Sequence, residues 1–160
     1  LDEVIDRHGD DNVSVLVETT SGQGSAVGYR LEHLGTILAG SAHRERLGVC
    51  CDTCHMFSAG YDFRTQAAYD DTLGELERHV GLENVRLWHL NDTAKPFGSR
   101  VDRHTQIGRG HLGNETFARL LNDPRWADRP MVIETPKKGL HDEPMDPVNL
   151  ATLWSLLKSE

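Results

Sequence analysis

The chain has 160 residues, enough for one domain with a real core. Its 17 basic and 25 acidic residues leave a formal charge of -8, the reverse of the balance that lets a protein wrap nucleic acid non-specifically. A few bound divalent ions would cancel much of that charge, so a compact site gripping a single phosphate is not excluded.

The opening residues, LDEVIDRHGDD, lack the basic-then-apolar order of a signal peptide and read as the end of a helix feeding a strand. With Leu1 rather than methionine first, we expect a piece of something longer. The strand is VSVLVETT, Val13 to Thr20. The glycines of GQGSAVG, Gly22 to Gly28, fit a tight turn into a helix and equally an anion held at a helix start. Val27, Leu31, Leu34 and Leu38 then recur at helical spacing over Ala26 to Leu38.

A second strand, LGVCCDT from Leu47 to Thr53, leads into Cys54. Cysteines at 50, 51 and 54 make a poor disulfide framework and fit a reducing cytoplasm. The C-x-x-C of Cys51 and Cys54 begins inside a strand, so we read core or near-site thiols rather than redox catalysts. A helix is expected over Tyr69 to Val80, around Leu73 and Leu76.

The third strand is VRLWHLND, Val85 to Asp92, and a long loop follows it. GRGHLG, Gly108 to Gly113, matches G-x-G-x-x-G by letter but follows that polar loop, which sets dinucleotide binding aside. A helix over Asn114 to Leu121 puts Phe117, Leu120 and Leu121 on one face. PMVIETP, Pro130 to Pro136, is the fourth strand, and Asp146 to Leu157 closes the chain with Leu150, Leu153, Trp154 and Leu157 at helical spacing. Trp88, Trp126 and Trp154 are expected in core or helix packing. No apolar run approaches the roughly 20 residues of a membrane span.

Strands that are apolar through their first half, rather than alternating, suit buried parallel pairing, and strand-helix alternation gives an α/β fold. An open doubly wound sheet and part of an eight-stranded barrel both fit. A barrel takes about 250 residues, so four βα units would be half of one. The placement of ionisable residues favours the barrel, whose reactive groups stand where strands end and βα loops begin.

Glu18, Asp52, His89 and Glu134 stand late in the four strands. Carboxylates converging there would repel one another unless a cation sits among them, and oxygen and nitrogen donors without thiolate suit zinc or manganese. A second set lies beyond. His55 is expected at the start of the loop after the second strand, and Asp102 and His104 can point the same way if their segment is extended. Together they make a His/Asp/His site with an open fourth position for water, whose pKa a zinc ion would lower toward 7. Lys95, Arg100 and Arg103 put positive charge beside these ligands, a clamp for phosphate oxygens.

The stretches VETTSGQGS, GVCCDTCHMFSAGYD, HLNDTAKPFGSRVDRH, GRGHLG and VIETP closely resemble the endonuclease IV family of zinc-dependent apurinic/apyrimidinic endonucleases. The resemblance covers essentially the whole chain and corresponds to strands five to eight of the family's TIM barrel. It implies that residues 1–160 are the C-terminal half of one barrel domain. It further implies a DNA-repair enzyme that hydrolyses the bond 5′ to an abasic site in duplex DNA by metal-activated hydroxide, with cleaning of damaged 3′ ends. Glu18 would bridge two zincs and Asp52, His89 and Glu134 would complete one of those positions. His55, Asp102 and His104 would hold a separate third zinc, so two of three sites are largely encoded here. Glu134 and Glu18 would act in catalysis, and Lys95, Arg100 and Arg103 would approach DNA, Arg103 at the lesion. The complete enzyme is expected to be monomeric, with the isolated half prone to self-association or in need of its N-terminal half. Inactivity of the half alone, or an inert structural fragment, is the corresponding expectation for the 160 residues. The rival reading is a sugar isomerase or epimerase of the same barrel superfamily, which uses a quartet like Glu18, Asp52, His89 and Glu134 for one ion.

Overall fold

The computed structural model describes residues 1–8 and 13–158. A short helix, α1 (Asp2–Arg7), precedes β1 (Val15–Glu18). Then come α2 (Leu31–Gly40), β2 (Leu47–Asp52), α3 (Thr53–Ala59), α4 (Gln66–His79) and β3 (Val85–His89). After the two short strands β4 (Asp92–Thr93) and β5 (His104–Thr105) the chain continues through α5 (Asn114–Leu121), β6 (Met131–Val132) and α6 (Asp146–Ser155). Strands β1, β2, β3 and β6 form one parallel sheet in that order, while β4 and β5 pair antiparallel as a separate ribbon. The four-stranded parallel sheet with its helices is a partial TIM barrel.

Register decides what each face of this sheet carries. Glu18 pairs with Cys50, Asp52 with His89, and His89 with Val132. Because side chains alternate with a period of two, Glu18, Cys50, Asp52, His89 and Val132 share one face, and Glu134 continues that face past β6. Val17, Cys51, Trp88 and Met131 take the other face, which packs on the helices. There Trp88 meets Trp126 edge-on at 5.2 Å and Phe63 at 6.3 Å. The Trp126 indole N–H donates to the Tyr69 hydroxyl, which donates to Asp123, so these two polar tips are satisfied within the core.

The helical face of the sheet is therefore closed, whereas the inner face is only partly covered. Central β2 is buried along its whole length, but Leu16, Leu87 and Glu18 are half-buried and Val132 is 42% exposed. Edge strands β1 and β6 have parallel partners on one side only among the described residues.

Several expectations are corrected. The helix expected from Ala26 begins at Leu31, because Gly28 adopts a φ of 102° and its N–H turns onto His33 Nδ1. GQGSAVG is thus a turn, and α2 begins only at Leu31. Trp154 does not pack in the core: it is 71% exposed, and Leu150 on α6 and Leu157 just after it are exposed too, leaving Leu153 as the buried leucine of that helix. The third and fourth strands end sooner than expected, at His89 and Val132. No helix among the described residues is long and apolar enough to cross a membrane.

Candidate metal centre

All four strand-end residues converge. His89 Nδ1 lies 3.1 Å from Glu18 Oε1, 3.1 Å from Glu134 Oε2 and 3.7 Å from Asp52 Oδ2. One ligand atom from each of Glu18, Asp52, His89 and Glu134 falls within 4.8 Å of the others. The sheet register places three of them, since Asp52 and His89 are cross-strand partners and Glu18 shares their face, while Glu134 stands two residues past β6.

The second set also assembles, by a route not foreseen from the sequence. His55 is not on a loop: it sits on α3, a helix whose N-terminal cap is Asp52 itself, accepting the His55 N–H at 2.9 Å. One carboxylate thus joins the first cluster and anchors the helix that delivers the second. His104 arrives on β5, held to β4 by the Thr93–His104 pairing, and the Asp102 N–H is tied to Gln23 Oε1.

Neighbouring ligand atoms of the second set have the spacing of a tetrahedral ion. His55 Nε2 lies 3.1 Å from Asp102 Oδ2 and 3.4 Å from His104 Nε2, which lies 3.3 Å from Asp102 Oδ1. Atoms about 2.0–2.1 Å from a tetrahedral zinc stand about 3.3 Å apart. The Nδ1 of His55 faces the Thr19 carbonyl at 2.8 Å and that of His104 faces the Glu134 carbonyl at 3.2 Å. Carbonyls only accept, so each Nδ1 carries its hydrogen, and in the neutral ring Nε2 is the nitrogen left with a lone pair for an ion. These residues fit zinc. The clusters touch: His104 Nε2 is 3.6 Å from Asp52 Oδ2, and His55 Nδ1 is 3.3 Å from Glu18 Oε1.

Without an ion, protons supply the positive charge among these carboxylates. Burial opposes charge on His55, yet the Glu18 contact and the charges of Asp52 and Asp102 carry its pKa to about 10. His104 rises to about 9 against burial, through Cys54, Asp52 and the Glu134 carbonyl. The Glu18 contact raises His89. Burial disfavours the Glu18 anion, but hydrogen bonds from His55 and His89 hold it down at about 2. Asp52 is fully buried, which pushes its carboxyl up despite His55 and His104. The Cys50 thiol is pushed up by burial and then by Glu18, Asp52 and Glu134, and burial does the same to Cys51. Neither is a reactive thiolate, and all three cysteines are free.

Residues 1–154 match the family described as xylose isomerase-like TIM barrel. The chain belongs to that family. Within it, the chain is 54% identical over 147 residues to the probable endonuclease 4 of Chloroflexus aurantiacus, covering 92% of this chain and 51% of that protein. The probable endonuclease 4 of Nitratidesulfovibrio vulgaris is 48% identical over 159 residues, 99% of this chain and 56% of its own length. In structure the chain resembles endonuclease IV from Thermus thermophilus, with a TM-score of 0.81 and 37% identity over 96% of this chain and 54% of that one. The chain thus spans about half the length of the curated relatives it matches.

The basic loop runs between β4 and β5, where Lys95, Arg100 and Arg103 are exposed. Arg100 has a φ of 53°, donates its N–H to the Ser58 carbonyl, and stacks its guanidinium 5.0 Å from the Tyr29 ring.

Two neighbours in HLND carry roles that were missed from the sequence. Asp92, fully buried, accepts N–H groups from Thr93, Gly110, Leu112 and Gly113. Gly110, Leu112 and Gly113 of GRGHLG therefore cradle an internal carboxylate instead of a nucleotide phosphate. A Cβ on Gly110 would lie 2.3 Å from the Thr93 carbonyl oxygen, so the approach requires glycine. Asn91, equally buried, joins Asp52 to Glu134. A polar pair straight after the strand-end His89 was the available signal.

Proposed function

We propose that this chain is the C-terminal half of a zinc-dependent DNA-repair endonuclease. The complete protein would hydrolyse the phosphodiester bond 5′ to an abasic site in duplex DNA and clear blocked 3′ ends. The observation that carries this reading is the His55–Asp102–His104 triad standing against the quartet, two ligand groups bridged by a third, Asp52, Cys54 and His104, where an isomerase needs one ion. The names and half-length matches of the relatives support it, as does the likeness to the Thermus endonuclease IV.

Zinc held by these ligands supplies Lewis acidity toward the phosphate and a hydroxide-generating water position near pH 7. The protein's own part is orientation. Glu134, 49% exposed at the mouth of the cluster, and Glu18 beside it orient the attacking water toward phosphorus while remaining ligands. Asp52 is acceptor to the His55 N–H and so sets the distance between the clusters. Lys95, Arg100 and Arg103, exposed on the loop beside the ligands, bind phosphate oxygens of the DNA. A nucleotide lacking its base stacks weakly and is cheaply turned out of the helix into such a site.

The uncovered inner face, the half-paired edges and the exposed apolar side of α6 support completion of the barrel by a complementary half. We propose a monomer for the complete barrel and association for the half alone. Zinc-loaded complete protein is predicted to nick a duplex at a single abasic site, leaving a 3′-hydroxyl. Interconversion of an aldose and a ketose, with the abasic duplex left intact, would instead establish the isomerase reading.

A further inference from the structure

Asn91 lies between β3 and β4, outside both ligand clusters, and is 0% exposed. Its Oδ1 accepts the Glu134 N–H at 2.7 Å. A backbone N–H can only donate, so the orientation of the amide is determined: the NH2 group must point the other way. There it donates to Asp52 Oδ2 at 2.6 Å. This oxygen is the one that faces His89 at 3.7 Å and His104 at 3.6 Å, whereas Asp52 Oδ1 is held by the His55 N–H. One side chain therefore grips a carboxylate from β2 and the backbone of a carboxylate beyond β6, across the intervening β3. The Asn91 backbone is itself fixed, its N–H donating to Thr53 Oγ1 and its carbonyl accepting from the same hydroxyl.

Resting on the metal-centre reading above, we infer that Asn91 is a positioning residue that couples two metal ligands. It aims Asp52 Oδ2 into the cluster, leaving one lone-pair direction for an ion, and sets the point from which the Glu134 side chain departs. Outer hydrogen bonds of this kind fix ligand direction and tune donor strength, and their loss costs about 10–100-fold in metal affinity. The side chain touches no reacting atom, so its effect would pass entirely through Asp52 and Glu134.

The test compares Asn91→Ala with Tyr69→Phe in the complete protein. Both remove buried hydrogen bonds, but only Asn91→Ala releases Asp52 Oδ2 and the Glu134 N–H, whereas the Tyr69 hydroxyl bonds Trp126 and Asp123 in the helix-packed core. Zinc affinity is measured by chelator competition, and ligand geometry by the visible absorption of the cobalt-substituted protein. We expect Asn91→Ala to weaken zinc binding about 10–100-fold and change the cobalt spectrum. Tyr69→Phe should lose thermal stability while keeping both. Equal zinc affinity and an unchanged cobalt spectrum in Asn91→Ala would overturn this inference alone. Absence of zinc binding by the unsubstituted protein would overturn it together with the metal-centre reading. Should Asn91→Ala fail to fold, the Asn91 side-chain amide of the unsubstituted protein, followed by NMR, must shift when zinc is added. An amide resonance unmoved by zinc would equally refute the coupling.

Discussion

His55 and His104 face each other through Nε2 atoms 3.4 Å apart, with their Nδ1 atoms turned to the main-chain carbonyls of Thr19 and Glu134. Asp52, and at His55 also Glu18 and Asp102, favour the protonated rings in the metal-free protein, and a bound zinc ion would have to displace those protons. The pH dependence follows by sign. His55 and His104 have folded pKa values near 10 and 9, above 6.5, so their stabilisation is complete below 6.5 and lost as pH rises through 9 and 10. Glu18, lowered from 4.5 to about 2, contributes fully above 4.5 and loses its contribution as pH falls through 2. Thermal melts of the chelated protein should therefore show these contributions complete between about pH 4.5 and 6.5. The zinc-induced rise in Tm should be larger at pH 8 than at pH 6. A zinc effect that shrinks over that interval would contradict the proton-for-metal exchange.

Glu134 combines partial exposure with a place at the mouth of the quartet. Glu134→Gln keeps its size and its backbone N–H to Asn91 but removes the charge. Turnover of an abasic duplex should fall by about 10²–10⁴-fold at saturating zinc, the usual worth of a positioned acid-base group. The urea midpoint should barely move. Full turnover would show that Glu134 does not orient the water.

Asp92 offers a stability test remote from the reacting atoms. Each of its carboxylate oxygens accepts two backbone N–H groups. Asp92→Asn turns one oxygen into a donor and leaves two buried N–H groups facing it. We expect a loss of about 2–4 kcal/mol in urea unfolding. Zinc should also bind the triad more weakly, because the ribbon that carries His104 is anchored by this carboxylate. A loss below about 0.5 kcal/mol, the range of ordinary surface changes, would contradict the cradle.

How far the sequence disclosed this arrangement differs from residue to residue. The quartet was legible because an ionisable side chain late in an apolar strand has few explanations, and parallel register then brings Asp52 beside His89 without further information. Helix α3 was hidden: Thr53–Ala59 has seven residues, too few for a helical period to emerge, and it follows its strand with no intervening loop. The β4–β5 ribbon has two residues per strand and no alternation to read. Trp154 shows the limit of periodicity, which tells that a face is apolar and not that a partner covers it. Asn91 and Asp92 went unread because polar residues after a strand usually mean only a turn.

The basic loop predicts a salt dependence. If Lys95, Arg100 and Arg103 bind phosphates, each alanine substitution should weaken DNA binding without changing which lesion is cut. Each should also reduce the slope of log affinity against log salt by about one. Arg100→Ala also removes the stacking on Tyr29, so some loss of loop order should accompany it. Binding titrations at several salt concentrations measure this directly, and an unchanged slope in all three variants would remove the loop from the interface.

That two adjoining clusters hold separate ions is tested most directly by zinc content per chain, measured by mass spectrometry on the complete protein and its His104→Ala variant. We predict that the variant lacks one zinc equivalent while the ion at Glu18, Asp52, His89 and Glu134 is retained. The same zinc content in both proteins would contradict it.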